Sequence, residues 1–188
     1  MGKVRFDVKF TVLTAALFVV LALQGAGAFS GINERVDSHF PIIDTPLMNF
    51  LTAFGGDLFL FPLIALFLYL DWRKNGKPSL KTVAFVVAAI VGLAAVGALK
   101  LIFAEPRPRP DYGTYAFPSG HTFRAAIIAA YVSDRWKRLA PLAWGYAMGI
   151  ALTRLLLHYH WFSDVLFSLI FAPWLYLLLK SLLGGKFE

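Results

Sequence analysis

The sequence lacks cysteine and is poor in charge. None of its 188 residues is cysteine, so neither disulfides nor thiol chemistry can contribute, and the redox compartment is left open. Charged residues make up 15% of the chain and hydrophobic residues 59%, against about 25% and about 45–50% in soluble domains. A soluble fold of this size could not bury so much apolar surface. These values predict an integral membrane protein that forms one domain, residues 1–188.

Repeats, low-complexity tracts and domain linkers are also absent from the sequence. The net charge of +7 would suit a nucleic-acid-binding protein, but the cations lie between apolar spans, which is typical of membrane orientation. We therefore expect a lipid bilayer around the chain and no nucleic acid as a partner. No obligate protein partner is evident from the sequence.

Six apolar segments predict an all-α fold, a bundle of six transmembrane helices. They cover residues 10–29, 47–70, 82–103, 119–132, 139–157 and 164–183, and Gly55, Gly56 and Asp57 interrupt the second. Basic residues precede the first segment, as they would in a signal peptide. That segment has about 20 residues, enough to cross a bilayer, and we favour a retained span over a cleaved signal.

Basic residues predict how these spans are oriented. The N-terminus, the second-to-third loop, the fourth-to-fifth loop and the C-terminus hold twelve of the eighteen Lys and Arg residues: Lys3, Arg5, Lys9, Arg73, Lys74, Lys77, Lys81, Arg135, Lys137, Arg138, Lys180 and Lys186. Such loops favour the cytoplasmic side. We expect a cell-membrane protein with both termini cytoplasmic.

The outward ends of spans three to six carry further ionisable residues, and helix rise predicts their depth. At about 1.5 Å per residue, Lys100, Arg154 and His121 lie about 28, 24 and 21 Å from the inner basic residues of their spans. The hydrocarbon core is about 30 Å thick, so these groups would lie roughly 2–9 Å below its outer edge. The phosphate of a lipid headgroup can reach that depth.

The run FPSGH indicates a loop that enters a helix. Pro118 ends the preceding structure, and Ser119 is a suitable N-cap residue. Free N–H groups at such a helix start bind anions, with help from the helix dipole. Ser119 and Gly120 are therefore candidate phosphate-binding residues. His121 alone would be interpreted as a structural histidine, but beside an anion site it becomes a candidate catalytic residue.

A second histidine lies in the run TRLLLHYHWFSD. His160 and Asp164 are spaced i and i+4, on one helical face, so the carboxylate can hold Nδ1 of the ring and leave Nε2 free to attack. Arg154 can bind phosphate oxygens through two N–H groups at once. A capping or structural pair is the alternative for His160 and Asp164. His158 lacks this carboxylate, and we interpret it as a residue of the membrane interface.

Cations also mark the run KLIFAEPRPRP. Lys100 and Arg107 could be interface anchors that extend to the headgroups, but the prolines stiffen an extended loop and present arginines in one place. Glu105 is unusual beside a phosphate pocket, and we expect it to pair with Arg109. Arg124 could contact a second phosphate or an anionic headgroup, or simply pair with Glu105 or Asp111.

Together, KLIFAEPRP, PSGH and TRLLLHYHWFSD resemble the three signature motifs of the type 2 phosphatidic acid phosphatase (PAP2) superfamily. The family pattern is Lys, six residues, Arg-Pro; then Pro-Ser-Gly-His; then Ser-Arg, five residues, His, three residues, Asp. All three occur in order over residues 100–164, and six spans suit the membrane branch. Thr153 stands where the pattern has serine, and it keeps the hydroxyl.

The resemblance implies a role for each candidate residue. His160 would be the nucleophile that forms a phosphohistidine, Asp164 would orient it, and His121 would protonate the leaving group. The phosphate-binding residues would be Lys100, Arg107, Ser119, Gly120 and Arg154. Phosphoryl transfer mainly needs positioning and charge stabilisation, which these cations and helix N–H groups supply. We expect neither a metal nor a cofactor, since no second carboxylate has ligand spacing with the histidines.

The substrate implied is a membrane lipid phosphate or pyrophosphate: phosphatidate, phosphatidylglycerol phosphate or a polyprenyl pyrophosphate. Two alternatives stay open. A lipid phosphotransferase would pass the phosphate from His160 to another lipid instead of water. A non-catalytic channel or transporter would use the cations only to bind anions.

Overall fold

Apolar runs form helices in the computed structural model, which describes residues 8–184. Within that range the chain has no strand and eight α-helices: α1 (Val8–Gly25), α2 (Ser30–His39), α3 (Pro46–Ala53), α4 (Asp57–Asn75), α5 (Leu80–Phe103), α6 (Gly120–Arg135), α7 (Ala140–Leu156) and α8 (Phe162–Gly184). A helix satisfies its backbone polar groups internally, as a bilayer requires. The predicted all-α fold is confirmed. The predicted inner-side charges Lys3, Arg5 and Lys186 lie outside the described residues.

Five stretches within residues 8–184 are long and apolar enough to cross a membrane: Val8–Gly25, Pro46–Asn75, Leu80–Phe103, Lys137–Leu156 and Phe162–Gly184. The sixth predicted span is α6, whose 16 residues rise about 24 Å. Helices α5, α7 and α8 pack around α6, and most of its residues are buried. A short, less apolar helix suffices at this position because protein surrounds it.

The structure adds two details to the predicted outline. The second span is a pair of helices, α3 and α4, because Gly56 adopts an extended conformation and α4 begins anew at Asp57. The segment 30–45, which joins the first two predicted spans, contains α2. This helix is too polar to be recognised as a span, and Asn33 anchors it by exchanging two hydrogen bonds of 3.0 Å with Ser163.

The end of α5 directs the chain across the end of the bundle that carries the motifs. Ala104 adopts a left-handed conformation, with φ 45°, and its N–H donates to the carbonyl of Lys100. The chain therefore turns sharply after Phe103 and leads residues 105–119 over the helix ends to the start of α6. This places the first two motifs beside each other.

A buried polar cluster joins α4, α5 and α6 at the opposite end of the bundle. The carboxylate of Asp71 is 1% exposed and pairs with the guanidinium of Arg135. It also accepts from the Ser79 N–H and from the hydroxyl of Thr82, which lies 2.8 Å from the Tyr131 hydroxyl. Because every member has partners, the charges of the buried Asp71–Arg135 pair are compensated.

Helices α5 and α6 pack in close contact at Gly92, where an added Cβ would overlap the ring of Phe123. Gly97, on the same helix, has open space around it. We expect Gly92→Ala to lower the unfolding temperature in detergent, since overpacking costs about 1–3 kcal/mol. Gly97→Ala should leave it unchanged or raise it, because alanine favours the helix. Equal effects of the two substitutions on unfolding temperature would contradict this account.

Candidate active site

All eight predicted site residues lie at one end of the bundle. Lys100 is in the last turn of α5, Arg107 in the following loop, and Arg154 near the end of α7. His160 lies between α7 and α8, and Asp164 in the first turn of α8. Ser119, Gly120 and His121 begin α6, and the N–H of Ser119 donates to the carbonyl of Asp164 at 3.2 Å. The three motifs therefore meet around the start of α6.

His160 and Asp164 form a buried pair. Nδ1 of His160 lies 2.9 Å from Oδ2 of Asp164, and the two residues are 3% and 0% exposed. A carboxylate oxygen accepts, so Nδ1 donates and Nε2 of the neutral ring keeps its lone pair. The N–H of Trp161 also donates to Oδ2 and fixes the carboxylate. Burial lowers the pKa of His160 well below 6.5, and the charges of Arg154, Lys100 and Arg107 lower it further.

Three cations surround this pair with part of their hydrogen-bonding capacity unused. Lys100 Nζ donates to the carbonyls of Tyr115 and Ala116, at 2.9 and 2.8 Å. Arg107 Nη1 donates to the carbonyl of Tyr159 at 3.0 Å. Nε of Arg107 and Nε of Arg154 are both buried, and neither has a hydrogen-bond partner within the described residues. Leaving such a donor unpaired costs about 1–3 kcal/mol, more for a charged group, so both suit an anionic oxygen ligand.

The start of α6 has the cap that the sequence predicts. Ser119 is fully buried, and its hydroxyl accepts from the N–H of Thr122 at 3.5 Å. Ser168 donates to the carbonyl of Ser119 at 2.9 Å and ties this start to α8. The N–H groups of the first turn of a helix have no partner within it, so they are open to an anion.

Arg154 is 5% exposed, and a residue outside the three motifs, Thr52, holds its guanidinium in position. Its Nη1 donates to the hydroxyl of Thr52 at 2.8 Å, and its Cζ lies 4.6 Å from the ring centre of Tyr159. Thr153 donates to the same Thr52 hydroxyl at 2.9 Å. The hydroxyl of Thr153, the residue that stands where the family pattern has serine, therefore helps to hold Thr52, the acceptor of Arg154.

The helix break between α3 and α4 packs directly on His121. A Cβ at Gly55 would lie 2.7 Å from Cγ2 of Ile150 and 3.1 Å from Cβ of His121, and one at Gly56 would lie 3.8 Å from Nε2 of His121. The hydroxyl of Tyr146 donates to the carbonyl of Phe54 at 2.7 Å and holds the break in place. A side chain at position 55 would overlap Ile150 and crowd His121, so glycine at this position lets the backbone lie beside the histidine. Gly55 and Gly56, which interrupt the second apolar segment, thus form a wall of the site beside His121.

A sequence model of the PAP2 superfamily matches residues 81–186, more than half of the chain. The chain belongs to the PAP2 superfamily. This membership confirms the predicted resemblance and identifies an integral-membrane phosphatase. The fold is similar to that of a transmembrane PAP2-type phosphatidylglycerolphosphate phosphatase from Bacillus subtilis, with 21% identity and a TM-score of 0.78 over 97% of this chain and 98% of that one. It also resembles Aquifex aeolicus LpxE, with 22% identity and a TM-score of 0.64 over 82% and 95%.

Three predicted pairings around the PAP2 motifs are wrong. Glu105 accepts from Nε2 of Gln24 at 2.8 Å, on α1, and not from Arg109. Arg109 instead pairs with Asp44 at 2.8 Å. Arg124 pairs with neither Glu105 nor Asp111; its partner is Asp57, at 2.7 Å. Each true partner comes from a segment much earlier in the chain, so sequence proximity misled the assignment.

His158 also has a carboxylate partner, contrary to the expectation of an interface residue. Its Nδ1 lies 2.8 Å from Oδ1 of Asp37 on α2, and its Nε2 lies 3.2 Å from the carbonyl of Phe40. The backbone of His158 is left-handed, with φ 54°, and its carbonyl accepts from the N–H of Arg109 at 3.1 Å. His158 therefore joins α2, the residue that follows the first PAP2 motif and the loop that carries His160.

Thr52 supplies a test of how Arg154 is positioned. We expect Thr52→Val to weaken inhibition by inorganic phosphate about tenfold, because it leaves Nη1 of Arg154 without its acceptor, at a cost of about 1–3 kcal/mol. Thr52→Ser keeps the hydroxyl and should retain inhibition close to that of the unsubstituted protein. The measurement is the inhibition constant of phosphate. If the valine and serine variants behave alike, the hydroxyl does not position Arg154.

Proposed function

We propose that the protein hydrolyses lipid phosphates or pyrophosphates by way of a phosphohistidine on His160. The observation that carries this proposal is the buried His160–Asp164 pair beside Arg107 and Arg154, whose Nε atoms lack partners within the described residues. A neutral nucleophile next to unsatisfied cationic donors is suited to hold a phosphoryl group and attack it.

The reaction needs two histidines in opposite protonation states. Nε2 of His160 attacks the phosphorus while Asp164 stabilises the positive ring that forms. His121, protonated, gives its proton to the leaving oxygen. Water then attacks the phosphohistidine, His121 accepts the proton of that water, and inorganic phosphate leaves. The wall formed by Gly55 and Gly56 supports this role, because it fixes His121 within the site.

Lys100, Arg107 and Arg154 stabilise the charge on the transferred phosphoryl group. Loose transition states of phosphoryl transfer spread negative charge over three oxygens, and positioned cations with helix N–H groups meet that charge. Gly120 and His121 stand in the first turn of α6, where the N–H groups are directed at such an anion. Ser119 caps this turn and so keeps it in place.

A lipid substrate fits the membrane spans and the position of the site. All catalytic candidates lie at the end of the bundle opposite the Asp71–Arg135 pair and the basic inner loops. With both termini cytoplasmic, the site faces outward, where a headgroup phosphate can reach it from the bilayer. Phosphatidate, phosphatidylglycerol phosphate and polyprenyl pyrophosphates all offer such a phosphate, and the fold neighbour from Bacillus subtilis is a phosphatidylglycerolphosphate phosphatase.

Phosphate release tests the assignment of the catalytic pair. In detergent with a panel of lipid phosphates, we expect His160→Ala to reduce release by about 10³-fold or more, and Asp164→Asn by about 10²-fold or more. His39→Ala changes an exposed histidine on α2 and should leave turnover near normal. Undiminished release by His160→Ala would exclude His160 as the nucleophile. Transfer of the phosphate to a second lipid without free phosphate would identify a phosphotransferase.

The pH dependence tests the surroundings of His160. Because the pKa of His160 lies well below 6.5, the ring stays neutral and nucleophilic as the pH falls through that value. Arg107→Gln removes one of the cations that lower this pKa, so the pKa of His160 rises. The acid limb of the kcat/KM profile should then move to higher pH. Lys137→Gln, an exposed change outside the site, should leave the limb in place, and an unmoved limb in Arg107→Gln would contradict the account.

Chelation tests the expected independence from metals. We expect phosphate release to persist after treatment with EDTA, because the proposed charge stabilisation comes from Lys100, Arg107, Arg154 and helix N–H groups. The measurement compares the turnover rate of untreated protein with that of protein treated with EDTA and then freed of it by gel filtration. Loss of turnover that returns on adding a divalent cation would overturn the metal-free mechanism.

A further inference from the structure

Arg124 is held in a fixed orientation beside the start of α6. Its Nε and Nη2 donate to the two carboxylate oxygens of Asp57, at 2.7 and 2.9 Å. A bidentate pair of this kind fixes the plane of the guanidinium, and it does not use Nη1. Nη1 lies toward Gly120, where an added Cβ would stand 2.9 Å from it. This cationic nitrogen therefore lies beside a residue of the proposed phosphate site.

The position of Arg124 relates it to His121. Asp57, which holds Arg124, directly follows the Gly55–Gly56 wall against His121. His121 and Arg124 are also three residues apart on α6, which places them on one face of the helix.

The in-line geometry of phosphoryl transfer predicts which part of the substrate lies beside Arg124. Nucleophile and leaving group lie on opposite sides of the phosphorus in a phosphoryl transfer. When His160 attacks, the leaving oxygen is on the side of His121, which protonates it. A cation beside His121 therefore meets the leaving group, whereas Lys100, Arg107 and Arg154 meet the phosphoryl group that is transferred. A leaving alkoxide offers Arg124 no further oxygens, but a leaving phosphate does.

We propose that Arg124, oriented by Asp57, binds the inner phosphate of a lipid diphosphate, and that lipid diphosphates are preferred over lipid monophosphates. This rests on the proposed function. Nε2 of His160 bonds to the terminal phosphorus, and the bond from that phosphorus to the bridging oxygen breaks. The bridging oxygen takes the proton of His121, and a lipid monophosphate leaves. Water then cleaves the phosphohistidine to inorganic phosphate and returns a proton to His121.

A matched pair of substrates tests the subsite. Farnesyl diphosphate and farnesyl monophosphate share one lipid chain, and kcat/KM for phosphate release is measured for each in detergent. We expect the unsubstituted protein to favour the diphosphate at least tenfold. Arg124→Gln should reduce kcat/KM for the diphosphate at least tenfold more than for the monophosphate. Arg109→Gln breaks another Arg–Asp pair at the same end of the bundle and should leave the ratio unchanged.

Three other outcomes would refute the Arg124 subsite, and they also show whether the proposed function still stands. Equal losses on both substrates in Arg124→Gln would make Arg124 a structural residue or a ligand of the transferred phosphoryl group. A monophosphate preference in the unsubstituted protein would refute the subsite and leave the proposed function standing. Release from neither farnesyl substrate would refute the subsite, while the lipid panel with His160→Ala decides the proposed function separately.

Inhibition of the unsubstituted protein provides a second test that does not depend on the folding of a variant. Inorganic pyrophosphate can occupy both phosphate positions, and inorganic phosphate only one. We expect pyrophosphate to inhibit hydrolysis of farnesyl monophosphate with an inhibition constant at least tenfold lower than that of phosphate. Arg124→Gln should abolish this difference. Equal inhibition constants in the unsubstituted protein would overturn the subsite.

Discussion

Buried positive charge is the constraint on which the rest of this structure depends. Arg154, Arg107 and Lys100 stand among helix ends in a membrane protein, where an ionisable group is expensive to bury. The chain reduces that cost with neutral partners: the Thr52 hydroxyl, the Tyr159 ring and backbone carbonyls. Carboxylates would compensate the charge more completely, but they would also cancel the attraction for the phosphate of the proposed substrate. Nε of Arg107 and Nε of Arg154 are instead left without a partner within the described residues.

The one carboxylate within this group is assigned to the histidine. Oδ2 of Asp164 accepts from Nδ1 of His160 and from the N–H of Trp161, so it fixes the proposed nucleophile instead of neutralising an arginine. Three other acidic residues near the motifs are engaged further out: Asp44 by Arg109, Asp57 by Arg124 and Glu105 by Gln24. This division leaves a positive centre with paired charges at its edge.

Local spacing in the sequence was enough for much of this arrangement. The helices, the cap at Ser119 and the i, i+4 relation of His160 and Asp164 depend on residues close in the chain, and the motif spacing grouped the cations. Pairings between distant segments could not be read in this way. Asp44 and Arg109 are 65 residues apart, Asp57 and Arg124 are 67, and Thr52 and Arg154 are 102. An isolated polar residue in an apolar segment forms no periodic pattern, so the sequence does not indicate which distant residue it contacts.

The break between α3 and α4 has a consequence for how the chain assembles. Lipid cannot satisfy an interrupted backbone, so a break at membrane depth must be completed by protein. The N–H groups of Gly55 and Gly56 bond within the turn, but the carbonyl of Phe54 accepts from Tyr146, which is synthesised 92 residues later. The second hydrophobic segment therefore reaches its final hydrogen bonding only when α7 has entered the membrane and packed against it. The wall beside His121 is completed late in biosynthesis, after nearly the whole bundle is present.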